Sequence, residues 1–97
     1  MENLEFTFHG NTRIKKSICV GVVASGNLEI LMEPKETEGT HVSVTTKADG
    51  NKEIWSYILS NFFDEFPIQA EIDINDGGAA PGVVELRLKQ AVKEVLE

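Results

Sequence analysis

The sequence holds one cysteine, Cys19, and two histidines, His9 and His41, among 97 residues. A lone thiol forms no internal disulfide, and so few soft ligands assemble no zinc-type set. Cations are scarce as well: 9 Lys and Arg stand against 16 Asp and Glu, a net charge of −7. That balance excludes nucleic-acid binding of the usual kind, which depends on Lys and Arg neutralising phosphates. It suits docking on basic protein surfaces, where opposite charge steers encounter. No apolar run approaches the roughly 18 residues of a membrane span. The opening Met1-Glu-Asn-Leu-Glu5 lacks the basic region and the apolar stretch of a secretory signal. These absences predict a cytoplasmic protein that binds neither membrane nor nucleic acid.

What is present is alternation. Leu4, Phe6 and Phe8 share one parity in the stretch 2–9, and Ile14, Ile18, Val20, Val22 and Ala24 share one in 14–24. The same pattern recurs with Leu28, Ile30 and Met32, with Val42, Val44 and Thr46 in 41–47, and with Ile72 and Ile74 in 70–75. Each reads as a strand with one wet face, because side chains alternate across a strand. Gly10 to Arg13 reads as a turn, Pro34 ends the third strand, and Asn51 is placed to cap a helix. Over 52–66 the period becomes helical, with Ile54, Ile58, Phe62 and Phe66 in one stripe widened by Trp55, Leu59 and Phe63. Pro67 stops it. After the loop Asn75 to Ala80, Pro81 suits a first helical position, and Val84, Leu88, Ala91, Val92 and Val95 line one side of a second helix. The order β-β-β-β-α-β-α predicts a single α+β domain over 1–97. It is a two-layer sandwich of about five largely antiparallel strands with both helices on one face.

The second and third strands meet at Ser25-Gly26, where glycine can take the positive φ of a tight hairpin turn. Ser25 belongs to the wet parity, so its hydroxyl is expected at an accessible tip. A dyad of Ser25 with His41 or His9 would be the only nucleophilic arrangement. Yet no third orienting group stands out, and Ser25 is not in a Gly-x-Ser-x-Gly elbow. No catalytic or metal-binding residue is assigned. Cys19 reads as a small strand residue, Trp55 as core and Tyr57 as surface. Asn75-Asp-Gly-Gly-Ala-Ala-Pro-Gly82 precedes a helix whose first amides could receive a phosphate, though a simple strand-to-helix turn, with glycine relieving backbone strain, explains it better.

The run Ala24-Ser-Gly-Asn-Leu-Glu-Ile-Leu-Met-Glu-Pro34 resembles the modification segment of the acyl carrier (delta) subunit of malonate decarboxylase. Ile74-Asn-Asp-Gly-Gly-Ala-Ala-Pro-Gly-Val-Val-Glu-Leu-Arg-Leu88 resembles the second signature of the same family, and Leu4-Glu-Phe-Thr-Phe8 and the order of segments also fit. The resemblance implies that Ser25 carries 2'-(5''-phosphoribosyl)-3'-dephospho-CoA through a phosphodiester. The thiol of that group would hold acetyl and malonyl thioesters. It implies partners too: transferase and decarboxylase subunits, and a dedicated transferase that attaches the group. The chain itself would be a non-catalytic carrier. Asn27 stands where the family often has Asp, Gly77 where it commonly has an aromatic, and Ala80 where it commonly has Thr. Other readings are a carrier of the related citrate lyase type, a non-covalent ligand-binding or regulatory module, and a purely structural subunit.

Overall fold

The computed structural model describes residues 1–21 and 28–96. Its elements are β1 (Glu2–Phe8), β2 (Thr12–Arg13), β3 (Ile18–Gly21), β4 (Leu28–Pro34), β5 (Thr40–Thr46), α1 (Lys52–Glu65), β6 (Ile68–Asp76) and α2 (Pro81–Leu96). The strands form one sheet in the order β1-β5-β6-β4-β3, with β2 against the start of β6. Neighbours run antiparallel at β1–β5, β4–β6 and β3–β4, and parallel at β5–β6, where α1 makes the crossover. This is the expected α+β sandwich.

Register decides which side chains meet. Ile30 stands opposite Ile74, Met32 opposite Ile72, and Val42 and Val44 beside the same two isoleucines. All six are fully buried. With Leu28, Ile68 and Ala70 they form the inner face, which the helices cover through Trp55, Leu59, Phe62, Phe63, Val84, Leu88, Ala91, Val92 and Val95. Far from Asp76, Phe8 stacks on Phe63 at 5.1 Å and Phe62 meets Phe63 edge-on at 4.9 Å, which anchors α1 over β1.

Three local expectations need correction. The stretch 14–17 is not strand: Thr12 and Arg13 pair with Ile68 and Gln69 instead, and pairing with β4 begins only at Ile18. Lys15-Lys16-Ser17 offers neither apolar alternation nor β-preference to hold a ladder, although Ile14 is buried as expected. The inner stripe of α1 is turned towards Trp55, which leaves Ile54 48% exposed and Ile58 half-buried. Finally, Asn51 occupies the cap position of α1 but makes no side-chain capping bond. Ser25, its turn with Gly26, the inward placement of Val22 and Ala24, and Asn27 lie outside the described residues.

The wet face of the sheet carries a polar staple. His41 on β5 bonds Glu71 on β6 through Nδ1, and Glu5 on β1 through Nε2 at 2.7 Å. Ser43 Oγ donates to the other oxygen of Glu5 at 2.8 Å. The bond to Glu71 raises the His41 pKa above its ordinary 6.5, with Glu5 adding to the effect and burial opposing it. The Ser43 hydroxyl and then His41 lower that of Glu5 from its ordinary 4.5. The staple therefore stabilises the fold fully below the unfolded histidine value of 6.5, and the benefit is lost as pH rises through the higher folded value. Its acid limit is the lowered Glu5 value, where protonation removes that partner's share. His41→Gln should lower the melting temperature most near pH 5.5, between those limits, and least near pH 9, as differential scanning fluorimetry across that range will record.

Candidate functional site

Leu28, which follows the segment 22–27, and the loop after Asp76 meet at one end of the sheet. Leu28 pairs with Asp76, Gly21 with Glu29, and Thr46 with Asp76. The segment 22–27 is thus attached, through Gly21 and Leu28, directly beside the end of β6. Ser25 is three residues from Leu28, and three residues of chain reach at most about 11 Å. The described part of signature 24–34 is strand β4, and signature 74–88 supplies the end of the adjacent β6 and the first half of α2. Distant in sequence, they are neighbours here, and the glycine loop after Asp76 leads from this strand end into α2.

Asp76 organises that loop. It closes β6 rather than belonging to the loop, and its side chain is nearly buried at 7% exposure. Oδ2 accepts from Thr46 Oγ1 at 2.8 Å, and Oδ1 accepts from the amides of Gly78 at 3.0 Å and Ala79 at 2.8 Å. Asp followed by Gly-Gly is a signal for this side-chain turn. Gly78 sits at φ +102°, a conformation that L side chains rarely adopt. Asp76 thus takes two amides within the loop itself, and the first amides of α2, from Gly82 on, are not among its partners. Asp76→Ala leaves a hydroxyl and two amides without their acceptor. The expected loss is roughly 2–3 kcal/mol, a melting temperature lower by about 8–20 °C. Asp76→Asn keeps the Oδ1 acceptor and should recover about half of that loss.

Between this loop and α1 lies a cleft of about 180 Å³, walled by Ile54, Trp55 and Ile58 on one side and by Ala79, Pro81 and Val84 on the other. Asn51 and Asp76 also line it. A larger open groove of about 510 Å³, lined by Phe8, His9, Gly39 and Pro67 among others, sits at the opposite end.

Both histidines lie towards the other end of the sheet from Gly21 and Leu28, which flank the segment bearing Ser25. His9 follows Phe8, which pairs with Thr40 at the far end. His41 lies five residues along β5 from Thr46, about 17 Å, and both of its ring nitrogens are engaged by glutamates. Cys19 is exposed on β3, but desolvation and the nearby Glu29 raise its pKa above 9.0, so its thiol stays protonated. Trp55 is buried and Tyr57 exposed, as expected. Among the described residues no cluster of His, Cys, Asp or Glu is fit for a metal, and no helix is long and apolar enough to cross a membrane. Sequence reasoning missed the roles of His41 and Asp76. The first depends on register across three strands, while the second was signalled by Asp-Gly-Gly.

Fold and site together define a small α+β sandwich domain whose strand β4 and second signature lie side by side at one strand end. The chain belongs to the malonate decarboxylase delta subunit family, whose model matches residues 15–95. It is 44% identical over 101 residues to the malonate decarboxylase acyl carrier protein of Stenotrophomonas maltophilia strain K279a, covering 99% of this chain and 95% of that one. It is 43% identical to the acyl carrier protein of the same name from Burkholderia cepacia, covering 98% and 91%. A chain in the crystal structure of a Pseudomonas malonate decarboxylase hetero-tetramer in complex with malonate is similar in fold. Its TM-score is 0.93 at 38% identity, with 98% of this chain and 99% of that one covered.

Proposed function

We propose that this chain is the non-catalytic acyl carrier of a malonate decarboxylase, and that Ser25 bears the 2'-(5''-phosphoribosyl)-3'-dephospho-CoA group by a phosphodiester through Oγ. When bound, that group supplies a thiol that holds acetyl or malonyl as a thioester. The chain's own part is to anchor and present. The observation that supports this reading best is the Leu28–Asp76 pairing, which sets Leu28, three residues after Ser25 in the chain, beside the second signature at one strand end. β4 is held on both sides, by β3 and β6, so the attachment segment springs from a fixed base. The described residues there fit the neutral part of such a group better than its phosphates, since Asp76 occupies the loop amides and the neighbouring cleft is mostly apolar. A tether on a rigid base keeps a thioester at high effective concentration for several partner sites. Those partners are the transferase and decarboxylase subunits, and the transferase that attaches the group. A net charge of −7 favours basic docking surfaces on them.

The chain, purified from cells that also make its partner and modifying proteins, should show a coenzyme-sized mass adduct in intact-protein mass spectrometry. Ser25→Ala should remove it. An adduct that survives Ser25→Ala would contradict the assignment.

A further inference from the structure

We infer that the cleft between the first turns of α1 and α2 is a resting dock for the neutral, acetyl-bearing end of the arm, an inference that rests on the carrier reading above. Position comes first. Asp76 lines the cleft and pairs with Leu28, from which the attachment segment leaves. A coenzyme-length arm fixed within three residues of Leu28 reaches it easily, whereas the larger groove lies at the other end of the sheet. Size comes second. At about 180 Å³ the cleft is smaller than the roughly 300–1,000 Å³ that holds a drug-sized ligand. It therefore takes the last few atoms of the arm and not its nucleotide.

Chemistry makes the choice narrower. The walls are Ile54, Trp55, Ile58, Ala79, Pro81 and Val84, and Ile54 lies 48% exposed at a position where periodicity expected core. One uncharged polar side chain faces this apolar lining. Asn51 stands at the cap position of α1 without capping it and lines the cleft, so its amide is available to an amide or thioester carbonyl of an entering arm. Apolar walls with a single orienting polar group are the usual build of a small-ligand site. Among the described residues Asp76 is the only charged one in the lining. A malonyl group would bring its own carboxylate against that one, with no cation of the lining to offset it, so acetyl docks and malonyl is left outside for partner subunits. Docking in an apolar recess also shields the acetyl thioester from water between transfers.

The test uses the unmodified full chain and S-acetyl-pantetheine as probe, followed by amide shifts in NMR and by emission from Trp55, the only tryptophan. The expected result is saturable shifts at Ile54, Gly78 and Ala79, with S-malonyl-pantetheine binding at least about tenfold more weakly. Asn51→Ala should weaken the acetyl probe several-fold while leaving the melting temperature unchanged, because no capping bond is lost. Ile54→Asp should abolish the shifts. Equal affinity for both probes, or shifts that persist in Ile54→Asp, would overturn the inference, as would no shift at all in the folded wild-type chain. The probe needs no attachment serine, so this result stands or falls apart from the adduct on Ser25.

Discussion

Gly21→Ala is expected to cost roughly 3–4 kcal/mol, among the larger effects a single substitution has, and to lower the melting temperature by about 15–25 °C. Gly21 ends β3 at φ +88°, and a Cβ there would sit 1.9 Å from the carbonyl oxygen of Leu28. That oxygen is backbone, held by the pairing of β4 with both β3 and β6, so it cannot swing aside as a side-chain tip would. The strand pair that carries the attachment segment therefore has to splay or lose register. Chemical denaturation should show the loss in the midpoint, and the variant should also be modified more slowly than wild type by the attaching enzyme. A midpoint within experimental error of wild type would mean that the two strands are not joined as described.

How much of this was legible in advance depends on what kind of information each feature carries. Val42, Val44, Ile72, Ile74 and the α2 stripe from Val84 to Val95 are buried as alternation and helical period required, because those patterns encode one face of one element. The stripe of α1 was ambiguous: lines through Ile54 and through Trp55 lie about one residue apart on a helix, and only packing against α2 selects the second. Likewise nothing local in Lys15-Lys16-Ser17 says that the chain must pass β4 there, from β2 beside β6 to β3 at the edge. His41 and its two glutamates sit on three separate strands, so their meeting is a property of register and was not visible in any one segment. Ser25 stood out through its turn and its family resemblance, but the second signature could be placed beside β4 only once β4 and β6 were seen to pair. In the loop after Asp76 the sequence drew attention to the amides of the following helix, whereas the Asp76 side chain holds those of Gly78 and Ala79 within the loop.

Ser25→Ala should reduce turnover of the assembled malonate decarboxylase to background while the complex keeps its size in native mass spectrometry. Losing a tether forfeits an effective-concentration gain of roughly 10²–10⁴, and here the thiol itself goes with it. Because the substitution removes one oxygen from the side chain, assembly should be unaffected, which separates a carrier from a purely structural subunit. Activity that survives Ser25→Ala would favour the structural reading, and loss of assembly would show that the serine acts through folding.

The most direct measurement is tandem mass spectrometry of the tryptic peptide Ser17–Lys35 from the native complex. This peptide contains two serines, Ser17 and Ser25, and the thiol of Cys19. Fragment ions that carry the coenzyme-derived mass on Ser25, with Ser17 and Cys19 bare, are the predicted result. The same mass on Ser17 or Cys19, or an unmodified peptide from a complex that turns over malonate, would contradict the account.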